Sequence, residues 1–420
     1  MKKPILLFAL ALCTLMLFAQ TEDWFWATQA GGTSYDYGQA IATDASGNSY
    51  VTGDFYGTAT FGSTSFTSSG LNDLFIAKLD SSGNYLWAKQ AGGSSRSYGT
   101  GIAVDASGNI YVTGDFSGNV SFGSTSLNTN GNYLDIFVAK LDSNGNWLWV
   151  KQAGGTIHDN GYGLACDASG NSYVTGRFRD TATFGSTSLT SSGSNDIFVA
   201  KLDSNGNWLW ANQAGGTSDD SGYGIACDAS GNSYVTGYFQ GTANFGSTSL
   251  TSSGSYDIFI ARLDSNGNWL WAKRAGATSS DFGQAIASDA SGNSYVTGDF
   301  QNTASFGSTS LSTSGGPDIF IAKLDSNGNW LWAKNAGGTS SDEGNGIASD
   351  ASGNSYVTGY FLGTASFGST SLISSGGYDF FVAKLDSSGN WLWAKKAGGT
   401  SSDYGRAIAI DASGNSYVTG

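Results

Sequence analysis

Short runs in which apolar residues alternate with small or polar ones recur along the whole chain. Examples are Gly163-Leu-Ala-Cys-Asp167, Ser172-Tyr-Val-Thr-Gly176, Asp196-Ile-Phe-Val-Ala-Lys-Leu-Asp203 and Trp208-Leu-Trp-Ala-Asn-Gln-Ala214. A period of two predicts β-strands, and no segment sustains the 3.6-residue apolar period of a helix, so helix is minor or absent. Ser169-Gly170-Asn171 and Asn205-Gly206 separate these runs. Glycine there supplies the positive φ of a tight hairpin, which predicts that strands a and b form one hairpin and strands c and d another. Each strand carries apolar side chains on both faces, as a sheet sandwiched between two others requires.

The turn Asp-Ala-Ser-Gly-Asn occurs seven times, from Asp44, Asp105, Asp167, Asp228, Asp289, Asp350 and Asp411, at a spacing of 61 residues with one of 62. Four antiparallel strands in about 61 residues make one blade of a β-propeller. The expected fold is all-β, a seven-bladed propeller over residues 22–420. Strand d, with its Trp-x-Trp pattern, also occurs seven times, but strand c, with its Asp-x-Phe, begins only six times, at Asp73, Asp135, Asp196, Asp257, Asp318 and Asp379. The expectation is therefore an N-terminal outer strand at 23–30, six full repeats and a partial seventh from about residue 400. The first strand would complete the last blade if roughly 25 to 30 further residues followed Gly420.

Several linked motifs recur in the same order. They are Leu-Asp-Ser-Asn-Gly-Asn, Ala-Gly-Gly-Thr-Ser-Ser-Asp-Tyr-Gly, Ile-Ala-x-Asp-Ala-Ser-Gly-Asn-Ser-Tyr-Val-Thr-Gly and Asp-Ile-Phe-Val-Ala-Lys-Leu-Asp. Together they resemble the bacterial SBBP-type β-propeller repeat. The resemblance implies a seven-bladed propeller in a secreted or surface protein, and it brings no catalytic residues with it.

Met1-Lys2-Lys3, the apolar run Ile5–Phe18 and Ala19 have the form of a secretory signal peptide over residues 1–19, too short to span a bilayer. The formal net charge is −14. Cleavage after Ala19 removes two lysines, leaving 17 basic against 33 acidic residues, near −16. Such a surface repels phosphate backbones and excludes nucleic acid as a partner. Cys166 and Cys227 occupy the same repeat position in neighbouring units. They read as two small buried thiols, or as a disulfide if their Cα atoms lie within about 7 Å close to the ring axis.

All 13 tryptophans lie in strand d. They read as blade-to-blade packing, with sugar stacking at an exposed rim as the alternative. The aspartates that begin the a–b and c–d turns read as structural, accepting backbone N–H bonds. The loop acids Asp36, Asp159, Asp220, Asp281, Asp342 and Asp403, interrupted by Ser97, fall between strands d and a. They read either as fixing that loop or as a ring of carboxylates suited to Ca²⁺. His158 stands beside Asp159 as an ordinary loop histidine, without a nucleophile elbow to make it catalytic.

The near-invariant turns share one face, so the long b–c and d–a connections share the other. Repeat-to-repeat variation collects there at the end of strand b, at Arg177, Arg179, Tyr238, Gln240, Tyr360 and Leu362. The expected function is a non-enzymatic binding or scaffolding module at the cell surface, using that long-loop face toward a protein or glycan partner. The alternatives are a multivalent lectin with equivalent sites around the ring, and a hydrolase or lyase with an acidic channel mouth.

Overall fold

A computed structural model describes residues 24–129 and 133–420. The signal-peptide reading lies outside these residues. Among them there is no helix, hence none long and apolar enough to cross a membrane. Seven inner strands stand side by side in a ring: Asp36–Thr43, Ser97–Val104, Asn160–Cys166, Ser221–Cys227, Phe282–Ser288, Glu343–Ser349 and Ala407–Ile410. Each packs against the next, and the last against the first. The protein is a seven-bladed β-propeller.

Blade 3 shows how the sequence builds one unit. Its strands are Asn160–Cys166, Ser172–Phe184, Thr187–Leu202 and Trp208–Ala214, antiparallel in that order. Leu164 pairs with Val174, Val174 with Ala200 and Ala200 with Ala211, so small and β-branched residues meet across the ladder. The polar stretch between strands b and c is a hairpin of its own, with Ala182 opposite Leu189 and Phe184 opposite Thr187. Phe184 is fully buried and meets the edge of Trp208 at 5.4 Å. Burying such a ring contributes about 1.5–3 kcal/mol. Thr183 on that hairpin also bridges to Gly154 of the preceding blade.

Successive blades are clasped on the short-turn face. Trp149 donates its indole N–H to Ser204 O in the next blade at 3.1 Å, and Tyr111 OH donates to Gly170 O at 2.8 Å. The turn aspartates act as expected. Asp105 accepts the backbone N–H groups of Ser107 and Asn109, each at 2.9 Å, and bonds the Asn109 amide and Tyr111 hydroxyl through its other oxygen. The tryptophans serve packing, while the residue between each pair faces outward, as at Leu148, which is 52% exposed.

One alternative falls away and one local expectation changes. Cys166 and Cys227 are free thiols, with Cys227 Sγ 3.0 Å from the Cys166 carbonyl. Ser288 makes the same side-chain contact to Cys227 O at 3.0 Å, so the position links neighbouring inner strands without a disulfide. The segment expected as an N-terminal strand joins no ladder from Trp24 to Ala30, and only Gly31 and Gly32 pair, with Thr60 and Ala59. Side chains hold it instead. Trp26 donates to Ser81 O at 3.0 Å and packs on Tyr417 with ring centroids 6.0 Å apart.

Candidate functional site

In six blades the register between strands a and b slips once, at the same place: Gly38/Ala40, Gly99/Gly101, Gly161/Gly163, Gly222/Gly224, Gly283/Ala285 and Gly344/Gly346. A bulge leaves one residue unpaired and re-aims its side chain. The residues inside these bulges are Gln39, Thr100, Tyr162, Tyr223, Gln284 and Asn345, and Arg406 holds the same repeat position in blade 7. Gln39, Thr100, Tyr162, Tyr223, Gln284 and Arg406 converge, with Tyr98, Asp54 and Asp115, on one cavity of about 380 Å³.

The ends of the second strands form the wall of this mouth. Asp115 is buried, accepts the Asn160 amide at 3.0 Å and is pushed up to about 7 by that burial. Asp54 accepts the Asn72 amide at 2.7 Å, and burial raises it too. Arg177 donates to Asn160 Oδ1 at 3.2 Å and lies over the Tyr162 ring at 5.8 Å. Tyr162, Tyr223 and Tyr238 form an edge-to-face chain with centroids 5.4 Å apart at each step. On the far side Gln284 donates to Glu343 at 3.1 Å, and Tyr360 hydrogen-bonds the same carboxylate. Burial, followed by the Glu343 charge, holds Asp299 well above the usual carboxylate range.

The residues singled out from the sequence divide into two sets. Arg177 and Tyr238 touch the lining residues Tyr162 and Tyr223, and Tyr360 shares the Glu343 carboxylate with the lining residue Gln284. Arg179, Gln240 and Leu362 lie further along, where their backbone N–H groups donate to Asp159, Asp220 and Asp342 at 3.1–3.2 Å. The bulge residues were missed. Their signal in the sequence is a variable position between a fixed glycine and a small residue, as in Gly38-Gln39-Ala40, Gly161-Tyr162-Gly163 and Gly405-Arg406-Ala407.

The loop acids do not form an open ring at the channel. Asp36, Asp159, Asp220, Asp281, Asp342 and Asp403 each accept the N–H four residues back, from Gly32, Gly155, Gly216, Ala277, Gly338 and Gly399, at 2.7–2.8 Å. Asp159, Asp220, Asp281 and Asp342 are fully buried. The arrangement observed is the loop-fixing one, and among the described residues no group of three or more Asp, Glu, His or Cys side chains could hold a metal ion. Ser97 replaces the acid in one loop by accepting Leu74 N–H at 3.2 Å and donating to Ala91 O at 3.1 Å. His158 accepts Leu134 N–H at 3.0 Å and so fastens its own loop.

The profile of the family described as "Beta-propeller repeat", SBBP, matches residues 26–54, 86–119, 148–177, 209–245, 270–299, 331–360 and 392–420, just over half of the chain. The chain belongs to the SBBP β-propeller repeat family. Six of the seven SBBP matches begin in an outer strand d and the first begins at Trp26, and each runs on into or past strand b of the next blade. An uncharacterized WD repeat-containing protein of Acanthamoeba polyphaga mimivirus is 25% identical over 506 residues, covering 94% of this chain and 36% of that protein. The regulatory protein FlaEY of Caulobacter vibrioides is 28% identical over 171 residues, 39% of this chain and 18% of that protein. The chain thus spans well under half the length of either relative. Among solved structures, the Neurospora crassa Pan2 WD40 domain is similar at 9% identity and a TM-score of 0.47, covering 91% of this chain and 86% of that one. A Bacteroides caccae protein of unknown function is similar at 12% identity and a TM-score of 0.43, covering 81% and 96%. Neither structural likeness bears on function.

Proposed function

We propose that this SBBP-repeat propeller is a secreted, non-enzymatic binding module whose partner, a protein or glycan at the cell surface, engages the axial mouth of the long-loop face. The observation that carries this reading is the bulge position, which varies from blade to blade inside an otherwise repeated frame and brings its residues to a single cavity. Varied polar and aromatic side chains on a rigid scaffold are the usual makings of a recognition site. The mouth is asymmetric, with tyrosines and Arg177 on one side and Asp54 and Asp115 on another. That asymmetry favours one partner per ring over the equivalent sugar sites of a multivalent lectin.

The test is a screen of the purified protein on glycan and peptide arrays, repeated with Tyr162→Ala/Tyr223→Ala and with Leu209→Ala, each checked for an unchanged melting profile. A ligand whose binding falls at least tenfold in the tyrosine variant and is unchanged in the leucine variant is the expected result. Several equivalent sites per chain, or binding indifferent to the tyrosines, would move the function away from the mouth.

A further inference from the structure

Ion pairs are distributed unevenly between the two faces of the ring. On the short-turn face turn aspartates are matched by cations, with Lys140 at 3.9 Å from Asp105, Lys201 at 4.0 Å from Asp167, Arg262 at 3.4 Å from Asp228 and Lys384 at 4.0 Å from Asp350. At the axial mouth the acids have no such partner. Asp54 and Asp115 line the cavity and are only 3% and 4% exposed, yet each is met by a neutral amide, that of Asn72 at 2.7 Å and that of Asn160 at 3.0 Å. Asp299 and Glu343 accept the Gln284 amide at 3.4 and 3.1 Å. Among the described residues no lysine or arginine nitrogen comes within 4 Å of any of these four carboxyl groups.

The guanidinium groups of the mouth are engaged elsewhere. Arg177 donates to Asn160 Oδ1 and lies over the Tyr162 ring, while Arg406 lies 5.6 Å from the Tyr404 ring centroid. Burial, the leading effect on Asp54 and Asp115, outweighs their amide partners and the more distant arginines, so both carboxyls are raised. A buried carboxylate without a countercharge is costly, and a cation brought against it relieves that cost.

The rest of the lining suits a cation. Tyr98, Tyr162 and Tyr223 border the same cavity, and the faces of phenol rings attract positive charge, more strongly once it is desolvated. Burial raises all three phenols, which keeps them neutral. Gln39, Thr100 and Gln284 add oxygen acceptors. A volume of about 380 Å³ stands near the lower end of the usual range for ligand pockets, the scale of one side chain and not of a sugar chain. Asp54 and Asp115 hold the same repeat position in adjacent blades, and the next blade has Arg177 there, so this acidic side is not repeated around the ring.

We infer that the partner is a protein that inserts one basic side chain, arginine or lysine, into the mouth, its charge against Asp54 and Asp115 and its body against Tyr98, Tyr162 and Tyr223. This inference rests on the reading of the mouth as the recognition site and names the chemistry of what it recognises.

The test uses the whole chain and two end-blocked peptides, Gly-Gly-Arg-Gly-Gly and Gly-Gly-Lys-Gly-Gly, with citrulline or acetyl-lysine as the uncharged counterpart of each. Saturation-transfer NMR is expected to show saturable binding of both basic peptides and binding at least about tenfold weaker for the uncharged ones. Asp115→Asn and Asp54→Asn should each weaken the basic peptides at least about fivefold, and Leu209→Ala should leave them unchanged. Burial holds Asp115 at about 7, with Asn160, Arg177, Asp54, Tyr98 and Tyr162 around it, so binding should strengthen severalfold from pH 6 to pH 8 as this carboxyl ionises. The inference is overturned if the uncharged peptides bind equally, if both asparagine variants bind normally, or if affinity falls between pH 6 and pH 8. The peptide comparison is made on the unaltered protein, so misfolding of a variant leaves the test decisive. A glycan whose binding depends on Tyr162 and Tyr223 would overturn this inference and leave the mouth as the recognition site, whereas binding indifferent to those tyrosines would remove both.

Discussion

Trp271 of blade 4 donates its indole N–H to Ser326 O of blade 5 at 3.0 Å while its ring meets the edge of Tyr234, 6.4 Å away in its own blade. One side chain thus joins the outer strand, its own core and the neighbouring blade. Trp271→Phe is expected to cost about 1–3 kcal/mol from the lost hydrogen bond and ring contacts. Leu270→Ala, one residue away at a 49% exposed position, should stay within about 0.5 kcal/mol. Urea denaturation separates the two. Equal effects would mean that the tryptophan does not couple the blades.

Stability should fall as pH rises through about 6 to 7. Burial raises Asp159 and Asp220 to about 7 and Asp281 and Asp342 to about 6. A carboxyl raised in the folded state contributes stability that is fully present below its unfolded value near 3.9 and is lost as pH climbs through the folded value. The turn acids act oppositely. Hydrogen bonds lower Asp228, Asp289 and Asp350 despite the opposing effect of burial, so their contribution is lost only as pH drops below the ordinary carboxylate range. Melting temperatures should therefore peak between about pH 4 and 6 and be lower at pH 8. Asp220→Asn should flatten the decline, and a profile level from pH 5 to 8 would refute this account.

Gly215 has a φ of 149°, and a Cβ there would lie 2.8 Å from Asp196 Oδ1 and 2.9 Å from Asp220 Oδ2. Any side chain there would meet both a strained backbone and a clash with two buried carboxyl groups. Gly215→Ala should destabilise by about 2 kcal/mol or more. Gly399, whose added Cβ would meet nothing within 4 Å, is the matched control, with Gly399→Ala expected near zero. Calorimetry on the two variants checks the contrast.

Burial pushes the Cys166 thiol up to about 12 and the Cys227 thiol higher still. The thiolate is the reactive form, so native protein at pH 8 should resist alkylation. Both thiols should react on unfolding in urea. Rapid labelling of either thiol in the native state would contradict the raised thiol pKa.

Much of the architecture was legible because the determinants are local. The glycine at the third turn position, as in Gly170 with φ 77° and Gly206 with φ 79°, forces a hairpin wherever it occurs. The side chains of Asp167 and Asp203 accept the backbone N–H groups of their own turns, and Asp167 also takes the Tyr173 hydroxyl of the next strand. The site was legible in part. Variation at the end of strand b pointed to Arg177, Tyr238 and Tyr360, which contact Tyr162, Tyr223 and Glu343 next to the cavity lining. It pointed equally to Arg179, Gln240 and Leu362, which lie two residues further along the chain. The loop acids left two readings open, and which backbone N–H groups they accept became visible only once the loop was seen to fold back on them.

The sequence by itself determined the blade: period-two strands, glycine turns, buried tryptophans and their sevenfold recurrence all arise from local patterning. Only the tertiary structure decided which residues meet. Gln39, Tyr162 and Arg406 are far apart in the chain, and they share a cavity because the ring closes Asp36–Thr43 against Ala407–Ile410. Six of the seven blades carry a bulge at this position, and five of the six bulged residues line the cavity. Likewise, Trp26 became part of blade 7 through contacts to Ser81 and Tyr417, which are sequence neighbours of neither Trp26 nor each other. Closure of a ring is a global constraint, and no window of local sequence carries it.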